Sequence, residues 1–201
     1  MARQSRHTRE ELRELIVQAA LELVSEDGAE QVTARRIAKA IGYTPGMLYT
    51  VFTNLREIFL HVNAASLETL YADCVAARDG TEEPEEALQA VGLAYLEFAE
   101  RHRNQFDLLF QRHELADLTV PESLTARIRA LFDLAERELA TLAPSVDEAT
   151  VRLGARALWS GVHGTAALAL TEQLYLDGEH VDRAIVTTHI ERFVDGWRER
   201  V

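Results

Sequence analysis

Cysteine is almost absent from this chain: Cys74 stands alone among 201 residues. An intrachain disulfide is therefore excluded, as is a structural zinc site built on thiolates, and a reducing cytoplasm is the expected compartment. Proline is scarce as well, with four residues, and the ten glycines are the only other strong helix breakers. Leu, Ala, Glu and Arg dominate instead. Their side chains lose little rotamer freedom in a helix, so the predicted fold class is all-α. No apolar run approaches the roughly twenty residues of a membrane span, and the opening MARQSRHTREELRE lacks the apolar core of an export signal. The expectation is a protein that is not exported and has no membrane partner.

Positive charge is in short supply overall. The 33 acids exceed the 21 bases and give a formal net charge of −12, which by itself speaks against nucleic acid, because affinity for phosphate depends on Lys and Arg displacing counterions. The distribution reverses that reading. Residues 1–9 carry Arg3, Arg6 and Arg9 with no acid, and residues 31–56 carry Arg35, Arg36, Lys39 and Arg56 with no acid. Residues 61–201 hold 13 basic and 25 acidic side chains and so account for the whole excess. A basic face on an acidic body is implied.

Caps and breakers divide the chain. Thr8 followed by Glu11 is a capping box, and Leu12, Leu15, Ile16, Ala19 and Leu23 repeat at helical spacing up to Asp27-Gly28. Thr33 caps a short second helix with Ile37, Ala38 and Ile41 inward, stopped by Gly42. Thr44 caps a third helix of about two turns with Pro45 in its first turn. A long fourth helix starts at Thr53 or Asn54 and reaches Arg78. Apolar-periodic stretches follow at 84–101, 103–116, 122–142, 147–175 and 180–200.

The informative segment is TARRIAKAIGYTPGMLYTVFTNLREI, from Thr33 to Ile58. It reads as two short helices crossing closely at a glycine turn, with Leu48 and Phe52 inward and Tyr43, Thr44, Pro45, Met47 and Thr50 outward. A helix so displayed suits the major groove, which admits one helix and is read by a few protruding side chains. The segment closely resembles the helix-turn-helix of the TetR family: Thr33 at the cap, Ile37-Ala38, the turn Gly42, and Leu48-Tyr49-Thr50-Val51-Phe52 match in spacing and identity. The resemblance implies that Tyr49 and the caps of the second and fourth helices approach phosphates, while Tyr43, Thr44, Pro45 and Gly46 lie near bases. The family's usual aromatic or His is Val51 here, and its usual Lys at the start of the fourth helix is Leu55. Arg56, Arg35, Arg36 and the N-terminal arginines are the substitutes for those phosphate contacts.

Further along, Trp159 and His163 with Gly164 resemble the Trp-x-x-x-His-Gly signature of one TetR C-terminal subgroup. The two side chains lie four residues apart, on one helix face. They are either core, or the wall of an apolar ligand site together with Tyr95, Phe98, Phe106, Phe110, His113 and Phe132. No His-x-x-x-His pair, phosphate loop or paired-carboxylate set occurs, so neither a metal, a cofactor nor an enzymatic activity is expected. The organisation expected is a three-helix DNA-binding head at residues 1–55 and a helical bundle at 56–201 for ligand binding and dimerisation. Leu158, Val162, Ala166, Leu170, Ile190, Phe193 and Trp197 are expected in a four-helix interface of a homodimer. The resemblance implies a repressor of a palindromic double-stranded operator, released by a small-molecule effector; activation stays open, and a helical adaptor that binds no DNA is the alternative.

Overall fold

A computed structural model of the protein describes residues 7–110 and 120–199. Among these, the regular structure is helical: α1 (Arg9–Asp27), a 3-10 turn (Ala29–Gln31), α2 (Ala34–Ala40), α3 (Pro45–Leu48), α4 (Leu55–Asp79), α5 (Pro84–Arg101), α6 (Arg103–Phe110), α7 (Glu122–Leu142), α8 (Glu148–Leu170) and α9 (Val181–Arg198). The chain divides into two compact units, Met1–Leu67 with Asn104–Thr125, and Glu68–Arg103 with Ala126–Val201. Packing thus groups α6 with the N-terminal helices and divides α4 after Leu67.

The first unit closes over Leu12, Ile16, Ala20, Val24, Ile37, Ala38, Leu48, Val51, Phe52, Ile58 and Val62, with Leu108 of α6 added from beyond the head. Each large member of such a core contributes about 1.5–3 kcal/mol of burial. The capping box at Thr8 forms as the spacing predicts: the Thr8 hydroxyl accepts from Glu11 N–H and the Glu11 carboxylate accepts from Thr8 N–H at 2.7 Å. Backbone N–H groups at the start of α1 are thereby satisfied.

The chain turns tightly at the end of α2. Gly42 N–H donates to Lys39 O at 3.3 Å and Tyr43 N–H to Ala38 O at 2.9 Å, with Gly42 at φ +72°. This is the paired-bond C-cap that needs a left-handed residue, and glycine adopts it without a Cβ penalty. The third helix is shorter than the sequence suggests. It makes a single α turn and then tightens, with Val51 N–H and Phe52 N–H both donating to Leu48 O. That tightening directs Leu48 and Phe52 into the core.

In the second unit α5, α8 and α9 pack on one another. Gly92 permits close approach, since a Cβ there would sit 2.6 Å from Ile190 Cδ1. The buried Trp197 indole donates to Leu139 O at 3.0 Å, which ties α9 to the C-terminal end of α7. Arg78 donates to the buried Glu138 carboxylate at 2.9 Å. The eighth helix stops at Leu170 rather than continuing to 175. Glu172 takes φ +56° and Gln173 N–H turns back to Leu168 O, while the Thr171 hydroxyl donates to the α8 carbonyls. Of the expected helix at 103–116, residues 111–116 lie outside the described residues.

Gly42→Ala tests the turn. Its Cβ would meet nothing within 4 Å, so the cost is conformational, about 1–2 kcal/mol for a left-handed alanine. Chemical denaturation should register that loss.

Candidate functional site

The turn at Gly42 and the buried pair Leu48–Phe52 fix which side chains α3 turns outward. Thr44, Pro45, Gly46, Tyr49 and Thr50 are exposed, Tyr49 at 51%. Thr44 stands in extended backbone at the helix start, yet its hydroxyl makes no capping bond. The Thr50 hydroxyl donates to Met47 O at 2.7 Å. Tyr43 and Met47 are half-buried rather than fully exposed, because both pack against the core of the head. On α2, Arg35 and Lys39 are exposed four residues apart, on one face. Lys39 was legible as charge but not as a member of this surface.

Arg36, expected at phosphate, is partly exposed; its guanidinium pairs with Asp27 and donates to Gln31 O at 2.9 Å, so it also clasps the 3-10 turn to α2. The Thr33 hydroxyl accepts from Arg36 N–H as the cap of α2. Val51 is buried and Leu55 packs on the same core. Arg56 is half-buried, and its Nε has no hydrogen-bond partner among the described residues. The start of α4 is held by Asn54, which accepts from Glu57 N–H, and by Glu57, which accepts from Thr53 N–H.

Two contacts within the head escaped the sequence. Arg13 Nη2 donates to His61 Nε2 at 2.7 Å while its guanidinium lies 4.6 Å from the centre of the Phe52 ring. His7 Nδ1 lies 2.7 Å from the Tyr43 hydroxyl. No periodicity signals such pairs, since the second joins residues 36 apart.

The aromatic set expected to line one ligand site is divided between the units. Phe106 and Phe110 pair in the first unit, with ring centres 4.9 Å apart, whereas Tyr95, Phe98, Phe132, Trp159 and His163 belong to the second. His113 lies outside the described residues. Phe98 is fully buried and packs against His102. The remaining four form one cluster: Trp159 stacks on His163, Phe132 meets Trp159 edge-on, and Tyr95 hydroxyl lies 2.9 Å from His163 Nδ1. Arg156 caps Phe132 at 4.0 Å and pairs with Glu136.

Of the residues expected at the dimer face, Leu158, Val162, Ala166, Ile190 and Trp197 are buried within their own subunit, at 5% exposure or less. Leu170 and Phe193 are half-buried. The solvent face of α8 carries Leu153, Ala157, Ser160 and Leu168, with Leu153 at 71% exposure.

A head presenting a short helix beyond a glycine turn, followed by a separate helical unit, defines a helix-turn-helix DNA-binding regulator. Residues 16–62 match the family model described as bacterial regulatory proteins, tetR family, and residues 88–193 match that of the tetracyclin repressor-like C-terminal domain. The chain belongs to the TetR family of transcriptional regulators. A nucleoid occlusion factor SlmA of Marinobacter nauticus is 26% identical over 152 residues, 76% of this chain and 75% of that protein. Among solved structures, a Rhodococcus protein of unknown function superposes with a TM-score of 0.75 at 19% identity, covering 98% of both chains. The regulator FadR of Bacillus subtilis, in complex with stearoyl-CoA, superposes with a TM-score of 0.68 at 17% identity over 91% of this chain and 98% of its own. No helix among the described residues is long and apolar enough to cross a membrane.

Two imidazoles generate a pH prediction. Burial pushes His163 below the ordinary histidine value, and burial with the Arg13 charge does the same to His61. Their folded values lie below the unfolded one of about 6.5, so the stability they contribute is complete above about pH 6.5 and lost as pH falls through the lowered folded values. Urea unfolding should show a lower midpoint at pH 5 than at pH 7.5. His163→Gln, which retains an acceptor for Tyr95, should reduce that difference.

Proposed function

We propose that the protein is a dimeric, effector-responsive repressor that binds a palindromic operator through residues 1–55 and reads a small apolar molecule through residues 56–201. The observation that carries the DNA reading is the outward surface of Thr44, Pro45, Gly46, Tyr49 and Thr50 on a helix whose inner face is locked by Leu48 and Phe52. Arg35 and Lys39 flank it with exposed positive charge, and Arg56 stands half-buried at the start of α4. Tyr49 and these cations bind phosphates, while Tyr43, Thr44, Pro45, Gly46, Met47 and Thr50 lie toward base edges.

Dimerisation uses α8 and α9, through faces other than those the sequence suggested. Leu153, Ala157, Ser160, Gly164, Ala167 and Thr171 recur at alternating spacings of four and three, the period of a helix seam, and most are small enough for close approach. Two heads held at the spacing of successive major grooves, about 34–36 Å, then meet both half-sites. The effector site is the cluster of Tyr95, Phe132, Trp159 and His163. The neighbour that carries stearoyl-CoA supports an apolar class of effector. Release follows if the effector binds the spread dimer more tightly than the operator-bound one. Shifting occupancy from 99:1 to 1:99 takes about a 10⁴-fold difference in affinity.

Selection of duplexes from a random pool, followed by gel shift, is the test. The wild type should retain a palindromic duplex at low salt and lose affinity steeply as salt rises, in proportion to the phosphates contacted. Tyr49→Ala and Lys39→Ala should each weaken retention by about three- to tenfold at each head. No retention of any duplex at 50 mM salt would leave the non-DNA-binding adaptor as the reading. Leu153→Asp should convert the dimer to monomer in sedimentation and weaken operator binding with it; an unchanged dimer would remove α8 from the interface.

A further inference from the structure

The contact between His7 and Tyr43 lies at the margin of the head's core, against which Tyr43 packs. Both residues are half-buried, and neither belongs to the fully buried set of the head. At 2.7 Å the pair is nevertheless at the short end of hydrogen-bond distances. What it joins is informative. His7 directly precedes the capping box that fixes the start of α1, and Tyr43 is the residue whose N–H closes the turn into α3. Tyr43 is therefore held at both ends, by its backbone N–H to Ala38 O and by its hydroxyl against His7 Nδ1.

We propose that His7 is a positioning residue for DNA, which orients the Tyr43 hydroxyl toward a hydrogen-bond acceptor of the duplex; this rests on the DNA-binding reading above. The acceptor is a phosphate oxygen or a base-edge atom, groups that share the need for a donor. With the proton on Nδ1, the His7 ring N–H donates to the phenol oxygen and leaves the Tyr43 O–H to donate outward. A tyrosine hydroxyl with only solvent around it would have to be ordered on binding, at an entropic cost that the pair removes in advance.

The experiment compares His7→Ala, His7→Asn, Tyr43→Phe and the double variant H7A/Y43F on the duplex recovered by selection with the wild type, by fluorescence anisotropy. His7→Ala and Tyr43→Phe should each weaken binding by about three- to tenfold at each head. The double variant should bind no worse than Tyr43→Phe, because the two act through one hydroxyl. His7→Asn, whose amide N–H can replace the ring N–H, should restore binding, which a merely structural role would not predict. A uniform loss across sequences for Tyr43→Phe marks a phosphate acceptor, and a relaxed preference at one base pair marks a base. Single-variant losses that multiply in the double, or full affinity in His7→Ala, would overturn the proposal while leaving DNA binding intact. A wild type that recovers no duplex would instead remove the DNA-binding reading and this one together.

Discussion

The surface that α3 displays depends on the pair of backbone bonds that closes around Gly42. Tyr43 N–H to Ala38 O and Gly42 N–H to Lys39 O end α2 at a left-handed residue and send the chain sharply into α3. From that direction, Leu48 and Phe52 can reach the core only if Thr44, Pro45, Gly46, Tyr49 and Thr50 face the other way. A single turn of helix has little stability of its own, since nucleation fixes several dihedrals for each bond formed. Its conformation is imposed by the turn before it and the buried side chains beneath it.

The same division of labour runs through the first unit. Arginines hold the head together: Arg36 on Asp27 and Gln31, Arg13 on His61 and over Phe52. Cations left outward, Arg35 and Lys39, stand on the adjacent face of α2. The second unit is packed by other means. Gly92 brings α5 against Ile190, and Trp197 both fills space and donates to Leu139 O. Its polar pair of Tyr95 and His163 is embedded beside Trp159 and Phe132.

Much of the fold was legible because its signals are local. The Thr8 box, the Thr33 cap, Pro45 and Gly42 each act within four or five residues, and the structure places helix boundaries beside them. Burial of Leu48 and Phe52 followed from period alone. Long-range packing was not legible. Periodicity reports that a helix has an apolar stripe but not which neighbour covers it, and Leu158, Val162, Ala166, Ile190 and Trp197 are buried within their own subunit. The aromatic wall was drawn from residue type, without the division that places Phe106 and Phe110 in a different unit from Trp159. The pairing of Arg36 with Asp27 was not legible either, because that acid lies nine residues back, beyond any helical spacing.

Hydroxyl-radical footprinting of the protein itself, with and without a selected duplex, reads the α3 surface, because Tyr and Met side chains report their own solvent exposure. Tyr43, Met47 and Tyr49 should lose reactivity when DNA is bound, while Tyr175, exposed in the second unit, should keep its own. Bound duplex with unchanged reactivity at all three residues would contradict binding through α3.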